Sequence, residues 1–277
     1  MNKQYGKTFK EMRKSAQVPL TYFSKVGIPA STLSDFERGH SMITLEKLDN
    51  ALQLMEYSLA DYDNFLNHYT TTDYDYLLDQ SEKYTVNNDV TKIEQLIEIC
   101  KRTNQERIAI ALNIMIGNYS AEGKEELVSY LYSLRYFSTR DLWILYILIS
   151  HIHPKDTINI LYNLLDRGTG LSKSEKHKRV LALALSEAVL FLSYFNYKDE
   201  SKKIMNIIIE NDIFSGMFFH NYWGAVEGYW EYHFQDQKLG RQKIDRFFKI
   251  QHLAGIPEVT KFYEKKFKNL IDLTSES

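Results

Sequence analysis

The chain has little that breaks a helix. Glycine and proline supply only 12 and 4 of its 277 residues, about half their usual share. That argues for an all-α chain and against sandwiches and propellers, which need many tight turns. Cysteine is nearly absent: Cys100 stands alone, which excludes an internal disulfide or a thiolate metal cluster and suits a reducing cytoplasm. It sits in Leu96-Ile97-Glu98-Ile99-Cys100, an apolar helix face, and reads as packed. Long apolar runs are also missing. The longest, Val180 to Phe195, covers 16 positions with Glu187 near its middle, short of the roughly 20 a bilayer requires. The charged N-terminus MNKQYGKTFKEMRKS has no apolar signal-peptide core, so a cytoplasmic protein without a membrane partner is expected. HExxH, a Gly-rich phosphate loop and a nucleophile elbow are all absent. His151-x-His153 would set its two rings about 200° apart on a helix, wrong for shared metal ligation. No enzyme, cofactor or metal site is expected.

What is present is unevenly placed. Aromatics are rich, with 20 Tyr and 15 Phe, which implies large buried or ligand-facing surfaces. The formal charge of the whole chain is −2, yet residues 1–40 hold seven Lys and Arg against three carboxylates, net +4. A basic head on a mildly acidic body permits polyanion binding at one end only.

Helical spacing in the head is specific. Lys7 to Lys14 reads as a helix with Phe9 and Met12 inward, and Leu20 to Val26 as a second with Phe23 inside. After the break at Gly27-Ile28, Pro29 to Arg38 reads as a third, with Pro29 suited to the first helical position and Gly39 to a left-handed cap. Thr44 caps a fourth helix, on which Leu45, Leu48, Leu52 and Met55 recur, although Lys47 cannot complete a capping box. A fifth runs from about Leu59 to His68. With Leu33 and Phe36 inward, a 100° step puts Ser31, Asp35 and Arg38 on the outward face. Ala30, Thr32 and Ser34 flank them, and Lys10, Arg13 and Lys14 of the first helix complete a candidate interface with double-stranded DNA. Asp35 is unusual there: a carboxylate facing a groove either accepts from cytosine N4 or pairs locally with Arg38.

The run STLSDFERG, Ser31 to Gly39, closely resembles the end of the recognition helix in lambda-repressor-like domains, over residues 5–66. The resemblance implies that Arg13 pairs with Glu37 beneath the DNA-binding surface. Residues 1–68 thus read as a five-helix helix-turn-helix domain, and 69–90 as a polar linker with a short helix. Residues 91–277 read as about five helix pairs, 91–103 with 105–119 through 238–252 with 257–271. Pair starts fall 32 to 44 residues apart, near the tetratricopeptide period, and predict a TPR-like α-solenoid with a concave face.

Several second helices are apolar nearly all round and must be covered on both sides. Asn113, His151, Glu187 and Asn221 interrupt them, with Tyr222, Trp223, Tyr229 and Trp230 nearby. One reading pairs these polar groups internally, Glu187 with a Lys, Arg or Tyr hydroxyl. The other places all eight against a short hydrophobic peptide. The last helices, Gln237 to Leu273, end the stack and need a polar cap or a second copy of the chain.

As a whole the chain resembles the Rgg/GadR/MutR regulators of Gram-positive bacteria. Gly6 to Ser15, GKTFKEMRKS, and STLSDFERG are the strongest matches, and Ser41 to Leu52 follows the family's third block. The resemblance implies a homodimeric transcription regulator with a peptide pheromone as effector, as in quorum sensing. A DNA-binding regulator whose repeat domain only dimerises or binds proteins remains the alternative.

Overall fold

A computed structural model describes residues 4–67, 73–166, 174–213 and 216–275. Among the described residues the chain is all-helical, with no strand. It divides into two compact units, residues 1–76 and 77–277.

In the first unit, α1 (Tyr5–Ser15), a 3-10 helix (Leu20–Val26), α2 (Ala30–Glu37), α3 (Leu45–Leu54) and α4 (Leu59–Leu66) enclose one core. Phe9, Met12, Phe23, Leu33, Phe36 and Leu52 are fully buried or nearly so. The Phe9 ring lies 5.7 Å from Phe23 and 5.8 Å from Phe36, tilted against both. Gly6 lets α1 approach the end of α2: a Cβ there would stand 1.7 Å from the Phe36 carbonyl oxygen. The Tyr62 hydroxyl donates to the Tyr5 carbonyl at 2.8 Å and pins α4 to the start of α1.

Three local expectations need correction. Leu20–Val26 is a 3-10 helix, the tighter form favoured in short connectors. Pro29 is the N-cap of α2 and not its first residue, with extended ψ of 144° and no side-chain cap. Leu45 is 68% exposed, because it opens α3 one residue after Thr44 and points away from the core that Leu52 enters. Thr44 does cap α3, accepting from the Lys47 amide at 3.3 Å.

The second unit contains α5 (Asp73–Val86) from Leu77 onward, followed among the described residues by ten further helices. These are α6 (Val90–Arg102), α7 (Glu106–Met115), α8 (Ala121–Ser133), α9 (Thr139–Ile149), α10 (Pro154–Asp166), α11 (Glu175–Tyr194), α12 (Lys198–Glu210), α13 (Gly216–Phe234), α14 (Gln237–Ala254) and α15 (Pro257–Ser275). The second helices α7, α9, α11 and α13 pack on one another in sequence, which explains why they are apolar all round. Left-handed residues end many of the helices. Besides Gly117 and Gly255, Asn88, Asn104 and Asn196 adopt φ of 54°, 56° and 64°, a role asparagine tolerates better than other side chains. Segment 77–86 contributes buried Leu77, Leu78 and Ser81. Cys100 is buried, and burial pushes its thiol up to about 11. No helix among the described residues is long and apolar enough to cross a membrane.

Candidate functional site

The first candidate site is the outward face of α2. Gly39, at φ 76°, closes that helix: its amide donates to the Phe36 carbonyl and the His40 amide to the Asp35 carbonyl, each at 2.9 Å. This is a Schellman closure. Ser31 and Arg38 are exposed, and Ala30, Thr32, Ser34 and Asp35 are half-buried around them. Arg38 Nη2 donates to Asp35 Oδ1 at 2.7 Å. Lys14 is exposed and Lys10 half-buried on α1.

Arg13 lies deeper. Its Nε donates to Glu37 Oε1 at 2.5 Å and its Nη2 to Glu37 Oε2 at 2.9 Å, the bidentate geometry that suits a guanidinium and a carboxylate. Nη1 donates to the Val18 carbonyl at 2.8 Å. Its hydrogen bond to Glu37 raises the Arg13 pKa against the opposing effect of burial. With its side chain 12% exposed, Arg13 is largely covered and tied to Glu37 of α2.

The second candidate site lies within the second unit. Residues of α5, α7, α9, α11 and α15 surround a cavity of about 80 Å³, several times the roughly 10–15 Å³ one water needs. Leu78, Met115, Trp143, Leu183 and Phe262 form apolar wall. Tyr146 and Tyr263 line it too, as do Glu82 and Arg179, which form an ion pair. One turn beyond Phe262 on α15, Lys266 Nζ donates to Glu187 Oε2 of α11. Lys266 has its pKa raised: burial works against the charge, and Glu187 overcomes it.

The residues expected to hold a peptide are only partly brought together. Glu187 influences His151 and Tyr222, whose pKa values are dominated by burial, lowering the first and raising the second. Asn113 Nδ2 donates to the Ala109 carbonyl of its own helix at 2.9 Å. Asn221 is half-buried, and its Nδ2 has no hydrogen-bond partner among the described residues. Tyr222, Trp223, Tyr229 and Trp230 are all buried. Trp230 Nε1 donates to Ser201 Oγ at 2.9 Å, and Tyr229 Oη meets Thr274 Oγ1 at 3.1 Å. Tyr222 packs against Tyr263, ring centroids 4.8 Å apart. These aromatics are core, and the cavity lies beside them.

Sequence reasoning missed the cavity residues Tyr146, Arg179 and Tyr263, and it missed Lys266 as the partner of Glu187. Lys266 carried a signal, since it interrupts the stripe of Phe262, Tyr263 and Phe267.

Buried phenols make this unit sensitive to alkali. Burial pushes Tyr146 and Tyr229 up to about 12 and Tyr222 and Tyr263 well above the ordinary value. A folded-state pKa raised above its unfolded value stabilises fully below the unfolded value and loses its contribution as pH rises. The melting temperature is therefore expected to fall between about pH 10 and 12, and Tyr146→Phe to lessen that fall. Melts followed by circular dichroism across this range check it; an unchanged slope in the variant contradicts it.

No family model matches the chain. Among solved structures it is similar to the SHP pheromone receptor Rgg2 of Streptococcus dysgalactiae, with TM-score 0.76 and 19% identity over 96% of this chain and 99% of that one. It is similar to PrgX in its complex with cCF10, with TM-score 0.71 and 12% identity over 98% and 93%. A bacterial peptide pheromone/receptor complex gives TM-score 0.63 and 12% identity over 98% of each chain. The chain therefore has the fold of the pheromone receptor Rgg2 over nearly its whole length.

Proposed function

We propose that the chain is a transcription regulator that binds duplex DNA through a helix-turn-helix in residues 1–68 and answers to a short apolar peptide held in its helical-repeat body. In this reading 69–90 joins the two parts, with its stretch from Leu77 packed into the second unit, and 91–277 forms the rest of the TPR-like body. The observation that carries the reading is the apolar cavity of the second unit, with tyrosines and the Glu82–Arg179 pair at its walls. Such a largely apolar space with a few convergent polar groups has the chemistry of a ligand site, and at about 80 Å³ it seats an apolar side chain of the peptide rather than its whole length. The fold adds support, because its solved examples include a pheromone receptor and a peptide pheromone/receptor complex.

Ligand contacts are assigned to Trp143, Tyr146, Leu183, Phe262 and Tyr263. Tyr222, Trp223, Tyr229 and Trp230 support that wall from behind, and Glu187 serves through Lys266. Of the earlier candidates, His151, Asn113 and Asn221 lie outside the cavity lining, and the His151 ring meets Tyr119 edge-on at 6.1 Å. Ser31, Asp35 and Arg38 read the major groove, with Ala30, Thr32 and Ser34 beside them and Lys10 and Lys14 toward phosphates. Self-association is assigned to the groove between α14 and α15, lined by Ile244, Phe248, Leu253 and Phe267; Leu253 is 81% exposed. Two heads of a dimer would meet half-sites about 34–36 Å apart or a multiple of that.

The test uses the full chain. Light scattering should give twice the chain mass, and a gel shift should occur with DNA upstream of its own gene. Calorimetry with apolar peptides encoded near that gene should show binding. Leu183→Gln, which puts an amide into apolar wall, should weaken it about tenfold. Binding by no peptide would leave the second unit a role in self-association or protein contact alone. Absence of any DNA shift by folded protein would remove the regulatory reading.

A further inference from the structure

We propose that Asp35 and Arg38 act as one unit that selects a C·G base pair in the DNA half-site, with Asp35 as the residue that sets the choice. This rests on the DNA-binding reading above. The two side chains are joined at 2.7 Å while remaining 45% and 54% exposed. An exposed pair this open adds little to stability, so its consequence is geometric: it sets a short carboxylate beside a long guanidinium on the outward face. The closure at Gly39 fixes the same place from the backbone. His40 follows Gly39, its amide is bonded to the Asp35 carbonyl at 2.9 Å, and its Nδ1 lies 3.9 Å from Asp35 Oδ1. Oδ1 is thus flanked by Arg38 and His40, and Oδ2 has no hydrogen-bond partner among the described residues.

The groove chemistry then decides the target. An ionised carboxylate only accepts, and a guanidinium only donates. A C·G pair displays both complements in one plane: the cytosine N4 amino group for Asp35 and guanine O6 and N7 for Arg38. An A·T pair offers an amino donor between an adenine N7 and a thymine O4, so it supplies no paired acceptors for the guanidinium. Against phosphate, and against groove positions that present only acceptors, Asp35 is repelled. It therefore lowers affinity for wrong sequences more than for the right one, which is discrimination by an unfavourable element.

The experiment is selection from a random duplex library by the full-length wild type, Asp35→Ala and Asp35→Asn. Affinities for the winning duplex, its point variants and an unrelated duplex follow at two salt concentrations. Wild type should select a C·G pair in each half-site, and changing it to T·A should weaken binding about tenfold. Asp35→Ala should reduce that ratio to about twofold or less and bind the unrelated duplex more tightly than wild type does. Asp35→Asn should shift the preferred base from cytosine toward adenine, which an amide can bond at N6 and N7. The substituted side chain is exposed, and circular dichroism confirms the fold of each variant. Retention of the wild-type preference by Asp35→Ala, or selection of no C·G pair by wild type, overturns the assignment while leaving DNA binding in place. Failure of folded wild type to bind any duplex overturns both.

Discussion

Glu37→Ala is expected to cost the first unit about 3 kcal/mol or more, far beyond an ordinary surface substitution. The carboxylate takes two hydrogen bonds from Arg13, at 2.5 and 2.9 Å, and its side chain is only 4% exposed. Removing it leaves a guanidinium, itself 12% exposed, with the Val18 carbonyl as its remaining partner. An uncompensated charge held under a helix is the costly case, whereas an exposed pair such as Arg38 with Asp35 contributes a few tenths of a kcal/mol. For a unit of this size each kcal/mol moves the midpoint by about 4–8 °C, so a fall of at least about 12 °C is expected. Glu37→Gln keeps the shape and one acceptor and should lose less. Duplex affinity should fall with Glu37→Ala, because α2 loses its tether to α1 although no groove-facing group has changed. Thermal melts by circular dichroism and a gel shift check both. An unchanged midpoint with full affinity would mean that the pair does not hold α2.

The head was largely legible because its determinants are local. Phe9, Met12, Phe23, Leu33 and Phe36 repeat at helical spacing, and Gly27 and Gly39 take the positive φ that their positions suggest. The chain there has one way to bury those rings. What stayed hidden depends on contacts between distant segments. Gly6 looks like a weak point in α1 until the Phe36 carbonyl is placed over it. Leu45 continues the spacing of Leu48 and Leu52, yet the helix begins where the core has ended, so it faces outward.

The candidate ligand site was less legible for a related reason. In a stack of apolar helices, covering helices and a groove need the same residues, and sequence spacing does not say which face receives which. The aromatic run around Tyr222 and Tyr229 faces core because α14 comes very close to α13: a Cβ on Gly240 would lie 2.3 Å from the Tyr232 amide nitrogen. The two glycines at this crossing, Gly228 and Gly240, are the signal that such a face is covered by backbone. The cavity instead draws its wall from α5, α7, α9, α11 and α15, segments no short motif connects. Glu187 was readable as a charge in need of a partner. That its partner is Lys266, 79 residues later, follows from how the last helix is laid against α11 and not from any local pattern.

Breaking that partnership should have the second large effect. Lys266→Met removes an ammonium from a pair whose side chains are 19% and 13% exposed and leaves the Glu187 carboxylate without its cation. A buried pair broken on one side costs about 3–5 kcal/mol, and for a unit of about 200 residues that is a drop of roughly 6–20 °C. The double variant Lys266→Met with Glu187→Gln should recover most of the loss, since no unpaired charge remains and the volumes are nearly kept. The raised Lys266 pKa gives the sign with pH: its contribution is complete below the ordinary lysine range and is lost only as pH rises beyond it. At neutral pH, then, the full difference between wild type and Lys266→Met should be present. The tie also bears on the cavity. Phe262 and Tyr263 stand one turn before Lys266 on α15 and form part of the wall, so freeing α15 from α11 loosens that wall. Peptide affinity should therefore fall in Lys266→Met and return in the double variant, measured by calorimetry below the melting range of each. Recovery of stability without recovery of affinity would mean that Lys266 or Glu187 meets the peptide directly; recovery of neither would show that the pair is not what holds α15 in place.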